Sequence, residues 1–140
     1  MSCFNFNFIK TIPNSINLRY LSQRKYQRSL RKYLLNHKKN KCILCNYDFP
    51  FEVLETAHLK PNYLLDKLEL NDENNVELMC RNCHKFYDLG YVGVFNGSII
   101  KNKALLKYDY NISNKYIDNY NFHNSKYFNY HFKNIFKYIK

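Results

Sequence analysis

Apolar residues recur at helical spacing in two segments, one towards each end of the chain. Between residues 16 and 39, one face is formed by Leu30, Tyr33, Leu34 and His37. Between residues 126 and 139, one face is formed by Tyr127, Phe128, His131, Ile135, Phe136 and Ile139. The first segment also carries many arginines and lysines. The pattern therefore predicts an N-terminal basic helix and a C-terminal amphipathic helix that packs on the core.

The middle of the chain has shorter apolar runs separated by polar turns, which is typical of strands and a short helix. Asn96-Gly97 is a strong signal for a two-residue hairpin. The predicted order is a strand at 53–59, a polar loop at 71–74, a strand at 76–79, a helix at 81–89, and a hairpin of strands 92–95 and 98–101. We therefore predict an α+β fold.

Length and composition indicate one folded domain. The chain has 140 residues, of which 46% are apolar and 24% charged, enough for a hydrophobic core. Residues 1–15 contain Pro13 and no clear periodicity, so we expect an irregular lead-in followed by a single domain over residues 16–140. No run reaches the roughly 18–20 apolar residues of a membrane span. We expect no membrane association and an intracellular location; an organellar leader is the less favoured reading of the acid-free N-terminus.

Charge is distributed unevenly along the chain. The formal net charge is +11, and residues 1–41, 42–88 and 89–140 contribute +10, −5 and +6 respectively. Two basic segments thus flank a mildly acidic centre. Such flanks can neutralise the phosphates of a nucleic acid, and an acidic centre with His and Asn suits a divalent cation. The alternative is a solvated basic surface that binds no nucleic acid.

Four cysteines form two C-x-x-C pairs. Cys42 and Cys45 make the first pair, and Cys80 and Cys83 make the second. Two such pairs supply four thiolates that can surround zinc tetrahedrally. The alternatives are two disulfides or free thiols, and the intracellular character of the sequence disfavours disulfides. We predict structural zinc at this site and an ordinary free thiol at Cys3.

Between and just after the cysteine pairs lie Glu55-Thr56-Ala57-His58-Leu59-Lys60-Pro61 and Asn75-Val76-Glu77-Leu78-Met79-Cys80-Arg81-Asn82-Cys83-His84, with Asp88 one turn further on. His58, Asn75 and His84 stand at the three positions that name the HNH endonuclease family, which this segment resembles. The resemblance implies a ββα-metal core motif, here residues 42–90, with His58 on the first strand and His84 on the helix.

Flanking segments resemble one subgroup of that family, which has zinc knuckles and an A-H pair. The matching features are a helix at Gln23–Leu30 that is similar to Q-x-x-(F/Y)-x-R-x-x-L but has its leucine one residue earlier, an H-x-x-F-D-x-G-like segment at His84–Gly90, and a closing helix at Tyr127–His131. The resemblance extends over roughly residues 20–136. It implies a zinc-stapled ββα-metal core with an N-terminal basic helix, a following β-hairpin and a C-terminal helix.

The residue types suit phosphodiester hydrolysis, which needs a base for water and a cation for the developing charge. A neutral His58 can accept a proton near neutral pH. His84 and Asp88 are four residues apart and share one helical face, where they can hold a divalent ion. The resemblance gives Asn75 either the role of orienting His58 or that of a metal ligand. It implies Mg²⁺ or Mn²⁺, with Ni²⁺ also accepted at a His-containing site.

The residues of the motif allow several alternatives. Many family members carry a metal-binding Asp or His before the catalytic His, where this chain has Ala57. Glu55 should share the strand face of Ala57 rather than that of His58. His84 could instead be a spare zinc ligand, Asp88 could cap the helix or pair with Lys85, and Asn74 rivals Asn75. We expect nucleic-acid contacts from Arg24, Arg28, Arg31, Lys32, Lys60 and Arg81, although a plain surface role is equally open for the last two.

The sequence therefore predicts a divalent-metal-dependent DNA endonuclease that acts on duplex DNA. His58 would be the general base, and the resemblance implies 5′-phosphate and 3′-hydroxyl products. The alternative is a non-catalytic zinc-binding module that binds nucleic acid, and Ala57 is the feature that favours it. A protein-interaction zinc domain fits poorly with a net charge of +11.

Overall fold

The computed structural model describes residues 14–108, 110, 112 and 114–137, without the side chains of residues 14–20 and 22. Within these residues, three helices and four strands follow one another. They are α1 (Asn14–His37), β1 (Leu54–His58), β2 (Val76–Cys80), α2 (Arg81–Leu89), β3 (Val92–Phe95), β4 (Ser98–Lys101) and α3 (Phe122–Asn134). The α+β fold class is confirmed. Most of the predicted lead-in, residues 1–13, lies outside the described residues, and α1 already includes residues 14 and 15.

The centre of the fold is an antiparallel β1–β2 hairpin followed directly by α2. Leu54 pairs with Cys80 and His58 pairs with Val76, so the start of β1 lies beside the end of β2. All five β2 residues are buried. The short α2 helix ends where Gly90 adopts a left-handed conformation with φ of 83°. This ββα unit is the predicted core motif, and it has the predicted element bounds to within two residues.

Helix α1 packs on the hairpin through the predicted apolar face. Leu30 and Leu34 are buried, and Tyr33 is partly buried against the core. Arg31 fastens the helix to β1, because its guanidinium donates to the carbonyl oxygens of Leu54 at 2.8 Å and Phe51 at 3.0 Å. The apolar stripe and one arginine thus fix α1 beside the strand that carries His58.

A second hairpin and α3 complete the core. Asn96 and Gly97 have φ values of 48° and 83°, as a two-residue turn between β3 and β4 requires. Helix α3 begins at residue 122 rather than 126 because Asn121 and Asn124 form a reciprocal capping box. The helix ends at Asn134, so Ile135 and Phe136 of the predicted face lie beyond it, and Ile139 lies outside the described residues. Among the described helices, none is long and apolar enough to cross a membrane.

Candidate metal centre and nuclease site

The four cysteines converge at one buried point. All four are buried, and their sulfur atoms lie within 4.8 Å of one another. The Sγ atoms of Cys45 and Cys80 are 4.0 Å apart. Four sulfurs bonded to a tetrahedral zinc at about 2.3 Å lie about 3.8 Å from one another, so the spacing fits this ion. Among the described residues, this is the single cluster of three or more such ligand groups.

Local backbone geometry explains how the knuckle forms. Asn46, which follows the first cysteine pair, has a positive φ of 64°, and its N–H donates to the carbonyl of Cys42 at 2.8 Å. Ile43 donates to the carbonyl of Leu78 at 3.0 Å, which ties the knuckle to β2. The second pair sits at the junction of β2 and α2. Burial raises the pKa of the Cys45 thiol to about 12, so four thiolates need a bound cation to coexist here.

Tyr110 adds a contact that the sequence did not reveal. Its hydroxyl lies 3.0 Å from the Cys83 sulfur and 3.9 Å from the Cys80 sulfur. Its ring packs on Phe86, with the ring centroids 4.7 Å apart. A hydroxyl can donate to a thiolate and so stabilise its charge. No spacing rule links a tyrosine in a loop 27 residues later to Cys83, so only the fold shows it.

The second centre lies on the same ββα unit but is open. His58, at the end of β1, is partly buried, and burial together with the neighbouring His84 lowers its pKa to about 4. The side chain is therefore neutral at physiological pH and can accept a proton. His84 and Asp88, on the exposed side of α2, lie close to it, and the three residues line one pocket of about 280 Å³. The structure thus brings these three predicted site residues to one pocket.

Asn75 is buried at 1% exposure and acts on the backbone beside His58. Its amide oxygen accepts the N–H of Lys60 at 2.8 Å, and its amide nitrogen donates to the carbonyl of Lys60 at 3.2 Å. Its own carbonyl accepts the N–H of Leu59 at 2.8 Å. The neighbouring Asn74 instead binds Asp72. These contacts favour the orienting role for Asn75 over that of a metal ligand.

Glu55 is a site residue that strand alternation did not favour. Its carboxylate Oε1 lies 2.9 Å from Nδ1 of His84, and its Oε2 lies 3.9 Å from Nε of Arg81. Alternation sets only the direction of Cβ, and the two further carbons of a glutamate let its carboxylate reach α2. The E-x-x-H spacing to His58 was visible in the sequence, but no rule of strand geometry would have singled it out.

Buried side chains of α2 and α3 support the backbone on which this centre is built. Tyr87 donates its hydroxyl to the carbonyl of Leu59 at 2.8 Å, next to His58. His131 stacks on Tyr87 with ring centroids 3.5 Å apart and donates from Nε2 to the Tyr87 carbonyl at 2.7 Å. Tyr127 donates to Asp72, which caps the turn leading to Asn75. These contacts give His131 a structural role, as its place on the predicted apolar face of the C-terminal helix implies.

Basic side chains from α1 form a groove that leads to His58. Three arginines and two glutamates line this groove with polar side chains of β1, and its volume is about 530 Å³. The lining includes Arg24, Arg28, Arg31, Glu52, Glu55, Thr56 and His58. Here we call it the basic groove. Arg24 and Arg28 are exposed, whereas Arg31 is held by the backbone of β1. Two of the predicted phosphate contacts that are free of the backbone thus line the same groove as the candidate catalytic histidine.

The other predicted nucleic-acid contacts lie elsewhere. Lys32 is exposed but does not line the basic groove. Lys60 pairs with Glu69 at 2.9 Å and lies over the ring of Tyr130, so its ammonium group is already engaged. Arg81 is 86% exposed beside Glu55. The structure therefore brings Arg24, Arg28 and Arg31 together and leaves Lys32 and Lys60 apart from them.

Comparison with known families agrees with this geometry. Residues 42–94 match the HNH endonuclease family. The matched segment begins at Cys42, the first cysteine of the cluster, and ends in β3. It therefore contains the four cysteines, His58, His84 and Asp88, and the whole ββα unit. No curated protein gives a significant match to the chain. The resemblance seen in the sequence is thus confirmed for this HNH region, and it supports a nuclease-type function.

Proposed function

We propose that this protein is a divalent-metal-dependent endonuclease that hydrolyses phosphodiester bonds in duplex DNA. The observation that carries the proposal is the position of His58. It is neutral, it lies at the end of a groove lined by arginines, and it faces the His84–Asp88 pair within the HNH region. A base, a phosphate-binding surface and a candidate cation site therefore meet at one point.

His58 acts as the general base in this scheme. Its lowered pKa keeps a lone pair available to accept a proton from the attacking water. The contacts of Asn75 with Leu59 and Lys60 fix the backbone that carries His58. Arg24 and Arg28 hold the phosphates of the bound strand in the basic groove. As in the family, hydrolysis would leave a 5′-phosphate and a 3′-hydroxyl.

His84 and Asp88 are the residues that would hold the catalytic cation. Nε2 of His84 and Oδ2 of Asp88 are 3.2 Å apart, and two neighbouring ligands of an octahedral Mg²⁺ lie about 3 Å apart. This donor pair fits Mg²⁺ or Mn²⁺, and the imidazole also suits Ni²⁺. When bound, such a cation stabilises negative charge on the phosphate and on the leaving oxygen. The four-cysteine cluster would hold a separate, structural zinc.

Cleavage of supercoiled plasmid with Mg²⁺ or Mn²⁺ tests the proposal. Replacing a general base costs on the order of 10²- to 10⁴-fold in rate, so a zinc-replete His58→Ala protein should lose cleavage by that factor and keep DNA binding. His123→Ala is the matched control because His123 is exposed on α3, away from the site. Equal cleavage by wild type and His58→Ala would overturn the role of His58.

A non-catalytic nucleic-acid-binding module is the second candidate, because Ala57 offers no ligand where many HNH proteins have one. In the structure Ala57 is fully buried, and its methyl side chain carries no atom that could bind a cation. Tight, salt-sensitive DNA binding without cleavage by wild type, across plasmids of several sequences and with Mg²⁺, Mn²⁺ and Ni²⁺, would favour this candidate over the nuclease.

A further inference from the structure

His84 lies between two carboxylates that come from different elements. Its Nδ1 is 2.9 Å from Oε1 of Glu55 on β1, and its Nε2 is 3.2 Å from Oδ2 of Asp88, one turn later on α2. The His84 side chain is 22% exposed, so the ring is held at the protein surface by these two contacts. Both ring nitrogens therefore face oxygen atoms.

A neutral imidazole has one N–H and one lone pair. If Nδ1 donates its hydrogen to Glu55, which is the shorter contact, then Nε2 presents its lone pair towards Asp88. Two acceptors 3.2 Å apart repel each other unless a proton or a metal cation lies between them. The hydrogen bond from Nδ1 to Glu55 thus leaves the lone pair of Nε2 free to bind a cation together with Asp88.

We propose that Glu55 is a positioning residue for the catalytic cation. It accepts the Nδ1–H of His84 and so presents Nε2, together with Asp88, as the ligand pair. This inference rests on the proposed function, since it concerns the same cation. A carboxylate bonded to the far nitrogen of a metal-binding histidine fixes the ring's tautomer and orientation, and its loss typically weakens metal binding about 10- to 100-fold.

Glu55 acts through His84 rather than by direct coordination. One of its carboxylate oxygens is engaged by His84 and the other faces Arg81 at 3.9 Å. Both oxygens therefore already have partners. A role through His84 needs only a hydrogen-bond acceptor at position 55, whereas direct coordination needs the negative charge. This difference makes the two roles separable by substitution.

The test is Mn²⁺ binding to the zinc-replete protein without DNA, measured from the electron paramagnetic resonance signal of free Mn²⁺. Glu55→Gln keeps an acceptor and should bind Mn²⁺ within about threefold of wild type, because an amide oxygen can still accept the Nδ1–H. Glu55→Leu removes the acceptor and should bind about 10- to 100-fold more weakly. Glu73→Gln and Glu73→Leu are matched controls, because Glu73 is exposed and outside the site, and both should bind as wild type does.

A second measurement reports on the ring itself. In the Mg²⁺-saturated protein, long-range ¹H–¹⁵N spectra should show the proton of His84 on Nδ1 in wild type and in Glu55→Gln. In Glu55→Leu, protonation at Nε2 should become populated. Zinc content and the circular dichroism spectrum show whether each variant has folded, so a general loss of structure is recognised directly.

Three results would overturn the inference. They are an equal loss of Mn²⁺ affinity in Glu55→Gln and Glu55→Leu, wild-type affinity in Glu55→Leu, and no Mn²⁺ binding by the wild type. Failure of the proposed function looks different. Wild-type protein that binds Mn²⁺ in the predicted Glu55-dependent way but cleaves no DNA would remove the nuclease and leave the role of Glu55 intact.

Discussion

The two centres of the HNH region are built on the same elements yet have opposite character. The cysteine cluster is closed, since its four ligands are buried and already assembled. The histidine centre is open, with His84 and Asp88 partly exposed and the basic groove leading to His58. Structural zinc sites are saturated by protein ligands, whereas catalytic metal sites keep positions for water and substrate. The burial of the cysteines therefore fits a folding role, and the exposure of the histidine centre fits the chemical role proposed for it.

Adjacent residues show the difference most directly. Cys83 is fully buried and belongs to the cluster, whereas His84, the next residue of α2, lines the pocket that contains His58 and contacts Glu55. A single turn of helix thus belongs to both centres. The closed centre fixes the backbone that carries the side chains of the open centre. We therefore expect substitutions at the closed centre to affect folding and substitutions at the open centre to affect binding and activity.

The largest effect is expected at the closed centre. Cys83→Ser removes one thiolate, and structural zinc in small zinc domains contributes about 10–16 kcal/mol of apparent binding free energy at neutral pH. We expect this variant to lose bound zinc and the cooperative thermal unfolding transition of the HNH region. Metal analysis and circular dichroism melting measure both. Cys3→Ser is the control and should keep both properties; a zinc-free Cys83→Ser protein that melts like wild type would contradict the structural role.

The closed centre and the fold around it were largely predictable from sequence. C-x-x-C spacing gave the ligands, Asn96-Gly97 gave the hairpin, and apolar spacing gave α1. These signals are local, because each depends on residues a few positions apart. The capping box that starts α3 at residue 122 was also present in the sequence, but its two asparagines were not recognised as a helix start.

The open centre was only partly predictable. The motif placed His58 and His84 together, but it could not show that Asn75 holds the backbone of Lys60 or that Lys60 is engaged by Glu69. Arg31 was expected to contact phosphate, and the structure shows it bonded to β1. Strand alternation places Glu55 on the face of Ala57 and so does not predict its contact with His84. These contacts join side chains to residues that are distant in sequence, and a periodic pattern of apolar residues does not predict such contacts.

The next effect concerns the groove of the open centre. Arg24→Ala and Arg28→Ala together should weaken DNA binding about 10- to 100-fold at moderate salt and reduce the slope of log affinity against log salt by about 1 per arginine removed. Fluorescence anisotropy at several salt concentrations measures both. Lys25→Ala is the control, because Lys25 is exposed on the same helix outside the groove. Equal effects from Lys25→Ala would show that α1 contributes only diffuse charge.

A smaller effect is expected from the buried support of the open centre. Burial lowers the pKa of His131 from 6.5 to about 4, and the residue is 1% exposed. Between these values the unfolded chain binds more protons, so the free energy of unfolding falls as the pH falls. The contribution lost between pH 7 and 5.5 is about 1 kcal/mol. Urea unfolding of zinc-replete protein at both pH values should show it.

His131→Gln provides the comparison for this pH effect. Glutamine cannot titrate, so the variant should be less stable at pH 7 because it loses the stacking on Tyr87, and its stability should change less between the two pH values. His123→Gln is the exposed control and should keep the wild-type pH dependence. A wild-type slope in His131→Gln would show that another group dominates this pH range.

The smallest effect tests whether the two centres are separable at all. Tyr110→Phe keeps the ring against Phe86 and removes only the hydroxyl that contacts the Cys83 sulfur. Loss of one hydrogen bond of about 1 kcal/mol should weaken zinc binding about fivefold, measured by competition with a chelator. Tyr116→Phe is the matched control, because it removes the hydroxyl of a tyrosine that is 64% exposed. If the closed centre only fixes the backbone, Mn²⁺ affinity and DNA cleavage should not change in Tyr110→Phe. A parallel loss of Mn²⁺ affinity would instead mean that the position of Cys83 is transmitted to His84 through their shared helical turn, and the two centres would then be one coupled unit.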